Sequence, residues 1–336
     1  MGKTIVSKSP FRISLGGGGS DIISYSSKYG GKVIGFSIDS YVTSMISAQN
    51  EFQKRNVIKY YDVEEYENSS EITNPFLRAA MEISDVTSRY SMSILSDTPP
   101  GSGLGGSAAF LNSVISAAYS LEHDSLKKEE LAEISSSIEI EKLKLPVGKQ
   151  DHYLSALGGM NMITFNKDGT VEIEPIRVRE NCAGYLKNRL LLFHTNICRK
   201  AGEQLEFQSK KIVENNEKTI CLVDYMKELV GDVYNAFSSD SPDEIGPIIQ
   251  KHWKYKYSLN NNKVNSDMND LFELCYKNGA DGCKILGAGG GGFILISTKE
   301  GAQQEIRRIL TEKNMRELKF DIDYGGTQIY ELGGKQ

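Results

Sequence analysis

The chain carries 336 residues, 39% hydrophobic and 25% charged, with a formal net charge of −5. That length suits about two domains with a large apolar interior, and the mild acidity gives no reason to expect a nucleic-acid or membrane partner, because polyanions are bound through basic excess. Cys182, Cys198, Cys221, Cys275 and Cys283 are scattered without a C-x-x-C pair, which suggests neither a disulfide framework nor a zinc knuckle and fits a reducing cytoplasm. The opening MGKTIVSKSPF lacks the apolar stretch of a signal peptide, and no run approaches the roughly 18 apolar residues of a membrane span. Neither export nor membrane insertion is expected; small molecules are the expected partners, and an oligomer such as a dimer is left open.

Residues 3–9 alternate as a strand and run into FRISLGGGGSDI. The segments 32–38 (KVIGFSI) and 41–48 (YVTSMISA) are β-rich, and the short Asp39-Ser40 break between them predicts a hairpin. Asn74 as N-cap and Pro75 in the first turn predict a helix over PFLRAAMEIS, and YSMSILSD follows as a strand. From Leu104 onward, Ala108, Leu111, Ile115 and Ala118 recur at helical spacing, which predicts a buried helix leaving a glycine loop directly. Another helix is expected over about 127–143, where Leu131, Ile134 and Ile138 share a face, and a third from Gly148-Lys149-Gln150-Asp151. Strands are expected at MNMITF and TVEIEPI. The stretch around 166–185 reads as polar and irregular, so the expected domains are 1–180 and 181–336. Beyond it come a strand at LLLFHT, helices through about residue 278, the cluster CKILGAGGGGFILIS, a helix near 301–314 and two closing strands. Without strict β-α alternation, α+β is the expected class.

PGSGLGGS, at 100–107, satisfies G-x-G-x-x-G, but Pro99-Pro100 interrupts the strand exit and the next acid, Glu122, comes too early for a dinucleotide fingerprint. The same loop suits phosphate. Residues without side chains let backbone N–H groups approach an anion, the following helix adds its positive end, and Ser102 and Ser107 offer hydroxyls. A flexible turn explains any one such loop equally well. Two further clusters favour shared ligand contacts: SPFRISLGGGGSD, which joins Arg12 to Asp21, and KILGAGGGGF at 284–293. Glu139 and Asp151 are the candidate acids, because phosphoryl transfer needs oxygen ligands for Mg²⁺ and a carboxylate facing the attacking hydroxyl. Each also has an ordinary reading, a solvated helix charge for Glu139 and a helix-start acid for Asp151. Trp253 in WKYKY reads as a half-buried helix face before it reads as a sugar platform, and His152 as local packing.

The three glycine motifs, in this order and over nearly the whole chain, resemble the GHMP small-molecule kinases, a family that includes galactokinase, homoserine kinase and mevalonate kinase. The glycine-rich first motif, with GKQDHYLSALGG, is similar to the branch of heptose 7-phosphate kinases and fucokinase-like sugar kinases. The resemblance implies a two-domain fold, with a ribosomal-S5-like N-terminal and a ferredoxin-like C-terminal domain and the site between them. It also implies ATP and Mg²⁺, with a sugar phosphate as acceptor. Pro100, Gly101, Ser102, Gly103, Leu104, Gly105, Gly106 and Ser107 would wrap the ATP phosphates, while Ser107 and Glu139 hold the metal. Asp151 would be the catalytic carboxylate with Arg12 beside it. Gly18, Gly19, Ser20 and Asp21 would meet the sugar, Gly287, Gly289 and Gly290 would wall the reacting groups, and Thr195 and Arg199 would lie on the sugar side. Lys8, Lys149, Arg199 and Lys200 are candidates for the acceptor's own phosphate. A free-sugar 1-kinase and a silent sugar- or nucleotide-binding regulator are the competing expectations.

Overall fold

Apolar alternation carries the first strand further than the sequence suggests: in the computed structural model, which describes residues 3–49, 53–197, 202–259 and 266–333, it runs from Thr4 to Gly16. In chain order the elements are β1 (Thr4–Gly16), α1 (Ile23–Tyr29), β2 (Gly31–Ala48), β3 (Asn56–Lys59), β4 (Val63–Tyr66), α2 (Pro75–Ser84), β5 (Tyr90–Ser96), α3 (Gly106–Glu122), α4 (Lys128–Ser137), α5 (Gln150–Leu157), β6 (Met160–Phe165) and β7 (Val171–Ile176). The second half gives α6 (Glu180–Asn188), β8 (Leu190–His194), α7 (Gly202–Val213), α8 (Glu217–Ser238), α9 (Ile245–Leu259), α10 (Ser266–Lys277), β9 (Ala280–Ile285), β10 (Phe293–Thr298), α11 (Gln303–Glu312), β11 (Arg316–Glu317) and β12 (Gln328–Leu332).

Among the described residues the strands form two sheets. The first has eight strands in the order β12-β1-β2-β5-β3-β4, with β6 and β7 attached through β2. The expected hairpin at Asp39-Ser40 is absent. A two-residue hairpin turn needs positive φ, and neither residue has it. They instead form a bulge against β1, between the pairs Pro10↔Tyr41 and Phe11↔Ile38, and β2 continues through it as one strand. Asp39 N–H donates to Asp321 O at 3.1 Å, and the Asp39 carboxylate accepts from Asp321 N–H at 2.7 Å. A distant loop thus satisfies the bulge.

The second sheet is antiparallel, in the order β11-β8-β10-β9. Numbered along the chain this is fourth, first, third, second, the β-α-β-β-α-β arrangement of ferredoxin-like folds. The segment after 180 also serves the first sheet, because β12 returns to pair with β1. The stretch around 166–185 is more ordered than its polarity suggests: β7 and α6 occupy most of it, and α6 buries Cys182, Tyr185 and Leu186 at helical spacing.

Two helices place the site. Alanine-rich α3 is buried on most of its circumference and packs on β1 and β2, so its first turn is fixed in space. The expected helix over 127–143 is α4 followed by a π-helical turn, Ile138–Lys142, closed by Leu143 N–H donating to Ile138 O at 2.9 Å. Ile138 and Glu139 are both buried there, Glu139 one turn past Ser135 on the inner face of α4. Glu139 is therefore no solvated charge. Trp253 packs edge-on against Phe272, ring centres 5.6 Å apart, in the core behind the second sheet, so it offers no sugar platform.

Candidate active site

The loop after β5 is made of alternating left-handed glycines: Gly101, Gly103 and Gly105 have φ of 76°, 80° and 75°. Other residues take that conformation only with strain. Such alternation turns backbone N–H groups toward a common concavity, an anion-binding device. Gly105 is also the N-cap of α3 and supplies no capping side chain, so the helix's first-turn N–H groups stay available to an external acceptor. Pro100, Gly101, Ser102, Gly103, Gly105, Gly106 and Ser107 line one cavity of about 1030 Å³. Leu104 does not. Its side chain is fully buried, and its carbonyl accepts from Arg12 N–H at 3.0 Å, which fastens the loop to β1. The Ser102 hydroxyl is likewise spent inside the loop, accepting from Leu104 N–H at 3.4 Å.

Arg12, on β1, is 2% exposed and joins two motifs. Its Nε donates to Asp151 Oδ1 at 2.6 Å, Nη2 donates to Oδ2, and Nη1 donates to Gly103 O at 2.7 Å. A bidentate guanidinium–carboxylate pair fixes both orientation and charge. Asp151, in the first turn of α5, is thereby aimed into the cavity beside the glycine loop.

Asp21 is buried, with Oδ1 accepting from Gly19 N–H at 2.9 Å and Oδ2 from Gln150 N–H at 3.1 Å. Burial, then the Asp151 charge, push its carboxyl up against those two bonds. Gly148 makes the approach possible, since a Cβ there would sit 1.9 Å from Asp21 Oδ2. Gly18 and Gly19 line the cavity, but Ser20 turns away: its hydroxyl donates to Gly17 O and Lys32 O, closing the turn.

The third loop meets the first. A Cβ on Gly287, whose φ is 64°, would come within 2.7 Å of Gly103 Cα. Gly287 and Gly290 face the cavity; Gly289 does not, its N–H donating to Leu286 O at 3.4 Å to close the turn. Thr195 buttresses this loop from behind, its hydroxyl donating to Gly292 O at 2.9 Å, and does not reach the cavity. Arg199 and Lys200 lie outside the described residues. Lys8 sits over the Tyr41 ring at 4.4 Å, and Lys149 pairs with Glu133 at 2.7 Å. Neither lines the cavity, so neither is placed to hold a substrate phosphate there.

Four residues that sequence reasoning left unassigned also line it: Gln208, His252, Lys256 and Lys284. Lys284 is the first residue of the third glycine motif, which was the available signal. Lys256 and His252 stand one turn apart on α9, inside a stretch whose alternating Lys and Tyr mimic an ordinary amphipathic face. Lys284 is 1% exposed, and its ammonium donates to Ser14 O at 2.8 Å and Leu15 O at 3.3 Å. Burial, then Lys256, hold its pKa well below the usual lysine value, and burial, then Lys284, do the same to His252.

Buried polar atoms normally find partners. Here Glu139 Oε1, Gln208 Nε2 and both ring nitrogens of His152 and His252 have none among the described residues, and all four side chains line this cavity. His152 Nε2 lies 3.4 Å from Glu139 Oε2, without hydrogen-bond geometry. An unsatisfied, buried carboxylate oxygen facing a cavity that also holds the Ser107 hydroxyl fits a divalent cation with oxygen ligands. Tyr60, Tyr61, Phe76, Leu95 and Phe110 give the lining an aromatic and apolar portion. The cavity therefore combines the glycine loop and the open first turn of α3, a buried carboxylate with one unsatisfied oxygen, the Asp151–Arg12 pair and an aromatic and apolar portion of wall.

The signature of the GHMP kinases N terminal domain matches residues 74–159, and that of the GHMP kinases C terminal domain matches residues 236–316. The chain is 29% identical over 343 residues to the D-glycero-alpha-D-manno-heptose 7-phosphate kinase of Campylobacter jejuni, covering 98% of this chain and all of that protein. In fold it matches a D-glycero-D-manno-heptose 1-phosphate kinase from Bacteroides thetaiotaomicron, with TM-score 0.79 and 23% identity over 98% of this chain and all of the other. It also matches Lactococcus lactis galactokinase complexed with galactose, with TM-score 0.76 and 15% identity over 98% and 95% of the two chains. With both signatures in order on one chain and the fold shared throughout, the chain belongs to the GHMP kinases.

Proposed function

We propose that this kinase transfers the γ-phosphoryl group of ATP to the anomeric hydroxyl of D-glycero-D-manno-heptose 7-phosphate, giving the 1,7-bisphosphate. The observation that carries the reading is the single contact chain from Gly103 through Arg12 to Asp151, which sets an anion cradle and a carboxylate at one point. In the reaction the bond between the γ-phosphorus and its bridging oxygen breaks, the sugar oxygen–phosphorus bond forms, and the hydroxyl proton passes to Asp151. Backbone N–H groups at 101–107 and the Arg12 guanidinium face the charge on the transferring oxygens, and such positioning and neutralisation lower most of the barrier in a loose transition state. Ser107 and Glu139 are the residues that would hold Mg²⁺, which supplies further charge neutralisation when bound. Tyr60, Tyr61 and Phe110 offer the slot for the base. Asp21, Gly18, Gly19 and Gln208 form the acceptor side.

The acceptor assignment is supported by the full-length likeness to the Campylobacter kinase and is tested by a panel read by phosphorus NMR. Heptose 7-phosphate is expected to outcompete fucose, galactose and mannose by orders of magnitude, with the new phosphate on C1. Equal use of free sugars would point to a fucokinase-like enzyme, and use of heptose 1-phosphate would reverse the order of phosphorylation. Glu139→Gln tests the metal. The Mg²⁺ concentration for half-maximal rate is expected to rise by at least the roughly 10–100-fold that loss of outer metal partners brings. An unchanged Mg²⁺ requirement would leave Glu139 a mere neighbour of His152.

A further inference from the structure

Three cations line the cavity among the described residues: Arg12, Lys284 and Lys256. Arg12 is engaged by Asp151 and Gly103, and Lys284 by two carbonyls of β1. Lys256 differs. Among the described residues its ammonium makes one hydrogen bond, donating to Gly287 O, and an ammonium has three donors. Gly287 is the residue pressed against Gly103, whose carbonyl Arg12 holds. The contacts Lys256–Gly287–Gly103–Arg12–Asp151 therefore bring a cation from α9 and a cation from β1 to the same point of the cavity.

We infer that Lys256 is a second catalytic cation of the transfer, donating to the γ-phosphoryl oxygens of the bound triphosphate together with Arg12. The inference rests on the kinase reading of this cavity but not on which acceptor it takes. The groups around Lys256 locate it. Arg12 from β1, Asp151 from α5 and Asp21 from the loop after β1 all act on its charge, and His252 on α9 and Lys284 on β9 lie in its field. These surround the reacting centre rather than the aromatic slot. Burial, then Arg12, bring its pKa down to about 8, against the opposing pull of Asp151 and Asp21. Near pH 8 the free protein thus holds Lys256 partly neutral, and an arriving terminal phosphate recharges it. Because the cationic form exists below its pKa, triphosphate affinity falls as pH rises through this range.

Calorimetry with Mg²⁺-ADP and with Mg²⁺-adenylyl imidodiphosphate, in two pH 8 buffers of different ionisation enthalpy and without acceptor, separates the possibilities. Wild type is expected to take up a fraction of a proton with the triphosphate analogue and none with ADP. Lys256→Met is expected to lose roughly ten-fold or more of the preference for the triphosphate. Lys256→Arg keeps that preference without proton uptake, because a guanidinium does not titrate here. With whichever acceptor wild type uses, Lys256→Met lowers kcat and leaves the acceptor KM in place. An unchanged nucleotide preference, an equal weakening of both nucleotides, or a loss confined to the KM of phosphorylated acceptors would each overturn the inference. A wild type that binds neither nucleotide would overturn the kinase reading itself.

Discussion

Asp151→Asn is expected to lower turnover by roughly 10²–10⁴-fold, the usual contribution of a general acid–base group, while nucleotide binding survives. Asparagine keeps the shape and one acceptor oxygen for Arg12 but cannot take the hydroxyl proton. The substitution also leaves Arg12 charged and almost wholly buried. Removing one partner of a buried pair costs about 3–5 kcal/mol, and this is an upper bound here because the Asp151 side chain is 26% exposed. A bound triphosphate supplies replacement negative charge, so the variant's thermal midpoint should recover on adding nucleotide more than wild type gains. Single-turnover rates, together with nucleotide affinity and unfolding with and without ATP, test the set. A mutant at wild-type rate would remove Asp151 from the chemistry.

The second large effect is expected from a methyl group far smaller than any catalytic side chain. Gly287→Ala adds a Cβ within 2.7 Å of Gly103 Cα at a φ of 64°, where an alanine costs about 1–2 kcal/mol before any collision. The added Cβ meets backbone and has no rotamer of its own, so no side-chain rotation can relieve the contact. The two glycine loops must separate, carrying Gly103 O away from Arg12. Displacements of about 1 Å at a reacting centre can cost roughly 10²-fold, and a fall of that size in kcat/KM is the expected result. Gly184→Ala is the control: it lies in α6 with nothing within 4 Å of the added Cβ, so stability should hold or rise by about 0.5–1 kcal/mol and the rate should stay. Equal loss in both variants would mean the damage is global.

What the sequence made legible follows from how local each cause is. Asn74-Pro75 predicts the start of α2, and the Asn74 side chain does accept from Phe76 and Leu77 N–H, because capping is settled within three residues. The glycine loops were legible for the same reason, since positive φ is a property of one residue. The unbroken path of β2 was not: its bulge is held by Asp321, which no nearby letter announces. Glu139 looked like a solvated helix charge because a carboxylate is seldom fully buried, yet it lies one turn past buried Ser135 on the inner face. Ser20 and Thr195 sit in motif positions yet serve their loops, and motif membership alone does not say which way a hydroxyl points. Lys256 and Lys284 become site residues only when the second lobe folds back over the first.

The pairing of β12 with β1 joins the two ends of the described structure. Until β12 pairs with it, the outer margin of β1 is uncovered. An open strand margin recruits other strands, and contacts of such long sequence separation form slowly. Among the described residues, Gln328–Leu332 alone cover the outer edge of β1, so this one antiparallel pair decides whether that edge is open or closed.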